Sequence, residues 1–166
     1  MPKQEKIEAI RHSLSHIMAM AVVKKFPDAK LGIGPTIDNG FYYDFLLPDK
    51  LSDADLPKLE KQMKKIIQQK IAFNKTVVDK KEALKKVKGE DFKVELINDL
   101  PAGEEISFYE SGNFSDLCAG PHVKDSSEIN PNAFKLTRVA GAYWRGDEKN
   151  PMLTRIYGVA FETKEE

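Results

Sequence analysis

From Lys3 to Phe26, apolar residues recur at helical spacing (Ile7, Ile10, Leu14, Ile17, Met18 and Ala21), and Pro27 follows the run. The spacing predicts a helix over 3–26. Opposite the apolar stripe, where a solvated helix carries charge, stand His12, His16, Ala19 and Val23. A helix with two uncharged faces must be covered on both sides. Such a chain needs a layered fold around its first helix, with the two histidines in a cleft rather than in open water.

The remaining pattern supplies those layers. Leu56, Leu59, Met63, Ile66 and Ile67 form the buried face of a second helix over 53–70, opened by Ser52 and Asp55 in the manner of a capping box. The run 31–45 holds two short strand-like pieces around Gly-Pro and Asp-Asn-Gly turn signals. Residues 71–78 read as a strand and 80–87 as a short helix. Residues 92–97, Phe-Lys-Val-Glu-Leu-Ile, alternate as a strand does, with Lys93 facing away from Phe92 and Val94. Residues 106–110, 134–140, 142–145 and 153–161 read as later strands. Helices early and strands late predict an α+β fold with a mainly antiparallel sheet, and 166 residues suit a single domain over 1–166.

Lys plus Arg is 26 and Asp plus Glu is 26, so a nucleic-acid partner would need a local basic patch. One cysteine excludes an intrachain disulfide. The charged N-terminus lacks a signal-peptide core and no run is long enough for a membrane span, so a soluble, cytoplasmic chain with no membrane partner is expected.

All three histidines and the one cysteine fall in two short motifs, His12-Ser-Leu-Ser-His16 and Cys118-Ala-Gly-Pro-His122. The first pair are neighbours on one helix face, with Cβ atoms about 5–6 Å apart. Gly120-Pro121 cannot lie inside a helix, so the second motif is a strand end turning into a loop. Two chemistries fit. His and Cys are zinc ligands, and these four residues could close a tetrahedron. Imidazoles also move protons and position water without a metal. Ser13 stands where a zinc protease has its glutamate, which argues against that class.

Residues 11–22 (RHSLSHIMAMAV), 30–45, 116–123 (DLCAGPHV) and 134–161, with GAYWRGD and RIYG inside the last, resemble the editing domain of bacterial-type threonyl-tRNA synthetases. The paired motifs also occur in the related alanyl-tRNA synthetase editing domains. The resemblance implies hydrolysis of serine wrongly attached to threonine tRNA. Rejecting a substrate one methyl smaller is worth only about 1–3 kcal/mol, so a second, hydrolytic pocket is needed. Carried over residue by residue, it implies His12, His16, Lys93 and His122 as catalytic groups. Tyr109, Asp116 and Cys118 become substrate-binding residues, Asp116 through the amino group of the seryl moiety, with Tyr43 a further candidate. No metal is required on the threonyl branch; if zinc is bound, as on the alanyl branch, its ligands are His12, His16, Cys118 and His122. Lys93→Ala is expected to cut hydrolysis severely and leave the fold intact.

The implied partners are the serine-charged acceptor end of tRNA(Thr) and the synthetase core, in cis or in trans. Without that core the chain is expected not to charge tRNA. It reads equally as a segment of a longer enzyme or a free-standing editing protein. A zinc-dependent alanyl-type trans-editing deacylase acting on seryl- or glycyl-tRNA(Ala), and a non-catalytic tRNA-binding appendage, are the remaining readings. The lysine-rich runs 61–70 and 80–88 read first as solvated helix faces, with phosphate contacts second. Tyr143, Trp144 and Arg145, with Arg138 and Arg155, read either as a sheet packing cluster or as a tRNA-end contact. Gly32 and Gly34 read as serving a tight bend near the pocket.

Overall fold

A computed structural model describes residues 3–118 and 120–161. The first helix, α1, spans Lys3–Lys25 and ends in two lysines that complement its dipole. From Ile7 to Val22 it is buried almost all round, including the small positions Ala9, Ser13 and Ala19, as two uncharged faces require. Strands β1 (Lys30–Leu31), β2 (Thr36–Ile37) and β3 (Gly40–Leu46) follow. The second helix, α2 (Leu56–Gln68), starts after a 3-10 turn at Asp53–Asp55, where the Ser52 N–H donates to the Asp55 carboxylate at 2.9 Å. It buries Leu56, Leu59, Met63, Ile66 and Ile67 and turns lysines outward.

Next come β4 (Asn74–Val78), α3 (Lys80–Lys86), α4 (Asp91–Asn98), β5 (Ile106–Ser111), β6 (Phe114–Leu117), β7 (Phe134–Tyr143) and β8 (Met152–Ala160). All strand pairs are antiparallel. One sheet runs β1-β3-β8-β7, with β2 also on β3; the other runs β4-β5-β6. Alternate residues of β3, Phe41, Tyr43 and Phe45, are buried with α1 in the main core, as the two-residue period of a strand requires. The fold is α+β with antiparallel sheets, as the sequence pattern predicts. Among the described residues no helix is long and apolar enough to cross a membrane.

Two local expectations are corrected. Residues 92–97 are not a strand but most of α4, which buries Phe92, Lys93 and Ile97. Phe92 and Leu96 pack with Trp144 and Leu153, while Val94 and Ile97 pack with Ala83 and Phe108. A short helix with apolar groups on two sides produces the same alternation as a strand. Residues 142–145 are likewise not one strand: β7 ends at Tyr143, and Trp144–Gly146 form a 3-10 turn.

Candidate functional site

Six segments meet around one cavity of about 280 Å³. Helix α1 contributes His12, Ser15 and His16, and α4 contributes Lys93 and Leu96. Tyr43 comes from β3, Asp116 and Leu117 from β6, Cys118 and His122 from the loop after it, and Ile33, Gly34 and Pro35 from the bend before β2. The helical pair and the Gly-Pro loop, more than a hundred residues apart in sequence, therefore face the same space. The His16 and His122 ring centres are 5.4 Å apart, and those of His12 and His122 6.0 Å.

The bend is held close by two contacts. The Ser15 hydroxyl lies 2.9 Å from the Gly34 carbonyl oxygen, with the His12 carbonyl at 2.8 Å competing for the same proton. Gly34 admits the Tyr43 ring, since a Cβ there would lie 2.2 Å from it. The second glycine of consequence is Gly120, which takes φ +81° and lies against the Tyr109 hydroxyl. Its N–H donates to the Cys118 sulfur at 3.3 Å.

The imidazole wall is neutral. Burial pushes the pKa of His16 down to about 4 against a raising contribution from Asp116. Burial and the two neighbouring histidines push His122 down to about 2. Burial lowers His12 too, opposed by Glu8. Four imidazole nitrogens, His12 Nδ1, both of His16 and His122 Nε2, are buried without a hydrogen-bond partner among the described residues. Leaving such an atom unmet costs about 1–3 kcal/mol, so this wall suits a polar ligand or water.

The opposite wall is charged and closed on itself. Lys93 Nζ stands 2.8 Å from Asp116 Oδ1 and donates to the Tyr43 hydroxyl at 3.1 Å. The Tyr43 hydroxyl in turn donates to Asp116 Oδ2 at 2.6 Å. All three side chains are buried. Burial, and then Asp116, hold the Tyr43 phenol well above its ordinary pKa. Asp116 thus already has two protein partners, each of its oxygens keeping a further lone pair for a ligand.

Cys118 sits between the walls. Burial raises its thiol pKa despite the Gly120 N–H, so it is a thiol rather than a thiolate at neutral pH. Tyr109 is set one layer back from the cavity, with its ring 4.1 Å from that of His122. Zinc needs its donors within about 2.0–2.3 Å of one point. Among the described residues no group of three or more His, Cys, Asp or Glu is arranged that way, and His122 Nδ1 is engaged by Ser13 at 3.0 Å.

The sequence assigns no role to Ser13, Ser15 or Leu96, which the structure places in or beside the site. The signal for the serines was present: two hydroxyls between the paired histidines of a helix that is otherwise apolar there. In the cation–aromatic group near the C-terminal strands, Tyr143 is exposed, while Trp144 and the three arginines have partners within the protein. Trp144 is buried against Phe92 and donates to Glu95 at 2.6 Å; Arg145 pairs with Glu95 and Asp99. Arg155 makes two bonds to Asp44, at 2.7 and 3.0 Å, and Arg138 lies 4.1 Å over the Tyr157 ring.

Residues 106–157 match the family described as the threonyl and alanyl tRNA synthetase second additional domain. Along nearly its full length the chain is similar to proteins named threonine–tRNA ligase. It is 51% identical over 164 residues to that of Treponema pallidum strain Nichols, covering 99% of this chain and 28% of the relative. It is 56% identical over 163 residues to that of Clostridium botulinum strain Alaska E43, covering 98% and 25%. It is 54% identical over 159 residues to that of Acetivibrio thermocellus, covering 95% and 25%. The chain therefore spans about a quarter of the length of these curated relatives.

Proposed function

We propose that the chain, which belongs through residues 106–157 to the threonyl and alanyl tRNA synthetase second additional domain family, is an aminoacyl-tRNA deacylase. It removes serine from the acceptor end of threonine tRNA by water attack on the aminoacyl ester. The observation that carries this reading is the pairing of a neutral imidazole wall with a buried ion pair across one small cavity.

The water oxygen bonds to the ester carbonyl carbon, the bond from that carbon to the ribose oxygen breaks, and the proton released by the water ends on the ribose oxygen. A group with a pKa near 4 is a poor store for that proton, so His16, with His12, orients the water through its unpartnered nitrogens. The Lys93 ammonium group offsets charge gathering on the carbonyl oxygen. His122 faces the departing ribose oxygen. Asp116 takes the substrate amino group on its remaining lone pairs, and Cys118, with Tyr109 behind His122, forms the wall against the side chain. No step needs a metal. Because a methyl group is worth about 1–3 kcal/mol, a cavity this small can favour serine over threonine. The reading makes 1–166 one editing domain working in the cytoplasm beside a synthetase core, in cis or in trans.

The test is hydrolysis of Ser-tRNA(Thr), Thr-tRNA(Thr) and Ser-tRNA(Ala) by the chain, with and without a chelator. Rapid loss of serine from tRNA(Thr), slow loss of threonine and no effect of chelator are expected. Equal rates on the seryl and threonyl esters, or no hydrolysis, overturn the reading. Loss of activity with chelator replaces it by a metal-dependent one.

A further inference from the structure

Ser13 lies on α1 beside the paired histidines and has no exposed surface. Its hydroxyl oxygen accepts the Val123 N–H at 3.0 Å and stands 3.0 Å from His122 Nδ1. One hydroxyl thus grips the backbone of one residue and the ring of the residue before it. Phe73 stacks on the same ring at 5.3 Å, with a 5° angle between planes, and leaves it little freedom to turn.

A hydroxyl has one proton to give and two lone pairs to receive. Ser13 spends one lone pair on Val123. Its own proton then needs an acceptor. Helical serines often turn to a carbonyl one turn back, as Ser15 does toward His12 at 2.8 Å. Ser13 makes no such bond, and among the described residues the acceptor within reach is His122 Nδ1. If Nδ1 carried the proton instead, the buried Ser13 O–H would have no partner. That bias favours the other tautomer by roughly tenfold or more.

We infer that Ser13 is a positioning residue that locks His122 in the tautomer with its proton on Nε2. The ring then carries an N–H, not a lone pair, at Nε2, the buried nitrogen of this cavity-lining residue that has no hydrogen-bond partner among the described residues. His122 is therefore a hydrogen-bond donor and not the base that receives the water proton. Its role toward the departing ribose oxygen rests on the deacylase reading; the tautomer does not. The lock also opposes metal binding through Nε2, which would require that proton to move to Nδ1.

Long-range proton–nitrogen NMR of the imidazoles in the wild-type chain, at 18.8 kDa a practical size, tests this without any variant. The expected result is one neutral His122 signature with Nε2 protonated. An Nδ1-protonated ring, or an even mixture, overturns the inference. In Ser13→Ala the His122 signature should shift toward a mixture, while kcat for deacylation falls roughly 10- to 100-fold and KM changes little. An unchanged His122 signature in that variant also overturns it. A wild-type chain with the expected tautomer and no deacylation would sink the deacylase reading and leave the lock standing.

Discussion

The two walls of the cavity solve the burial of polar groups in opposite ways. On the lysine side, charge is kept by pairing: Lys93 stands 2.8 Å from Asp116 Oδ1, an ion pair without a hydrogen bond at that oxygen, and Tyr43 links the two through bonds of 3.1 and 2.6 Å. On the imidazole side, charge is given up. His16 and His122 are held neutral, and four ring nitrogens stay unpartnered among the described residues. The closed wall is held together by its own groups, so damage to it should appear first as lost stability. The open wall has hydrogen-bonding capacity left over, so it is where a ligand and water can be gripped.

The largest effect should come from breaking the closed wall. Lys93→Ala leaves the Asp116 carboxylate buried and uncompensated, which costs about 3–5 kcal/mol. The sequence-based expectation that this variant keeps its fold untouched overlooked that partner. Adding Asp116→Asn to Lys93→Met should return most of the stability, because the stranded charge is gone, while deacylation stays abolished. Urea melts of the single and double variants, read beside single-turnover hydrolysis, separate the two effects. A Lys93→Ala chain as stable as the wild type would show that the pair is not buried in solution.

That oversight marks where sequence reading stops. The helices α1 and α2 were legible because each puts many apolar residues on a helical period and ends on a clear signal, such as Pro27. The paired His and Cys motifs were legible because the chain has so few such residues. Residues 92–97 read as a strand because Lys93 and Glu95 alternate with apolar residues, a pattern that a short helix with apolar groups on two sides also produces. The burial of Lys93 depends on Asp116, which stands twenty-three positions later on another element; no local pattern records such a pair. The role of Ser13 is not legible for a similar reason, since its partner is the His122–Val123 loop.

The next effect belongs to the open wall and depends on pH. His16 has a folded pKa of about 4, and His122 of about 2, against an ordinary value of 6.5. Between pH 6.5 and 4 the unfolded chain binds more protons than the folded one, so stability rises with pH there. Above pH 6.5 this contribution is fully present. It is lost as pH falls, by about 2 kcal/mol for each of these two histidines between pH 6.5 and 5. Denaturant midpoints at a series of pH values check it. His16→Gln should flatten the slope by about half, and a stability unchanged from pH 7 to pH 5 would mean that the imidazoles are already charged or exposed.

Tyr43→Phe should have the smallest effect and shows whether the closed wall acts as a pair or as a triangle. The change keeps the ring against Gly34 and Phe45 but removes the hydroxyl that joins Asp116 and Lys93. If the ion pair carries the wall, the loss is that of one hydrogen bond to a charged group, about 2 kcal/mol, and clearly less than in Lys93→Ala. It should also be the same at pH 7 and pH 5, because the phenol stays protonated throughout and gains no charge to titrate. A cost equal to that of Lys93→Ala would mean that the three groups stand or fall together. In that case the hydroxyl, and not only the opposite charges, is what allows a lysine to be buried at this cavity.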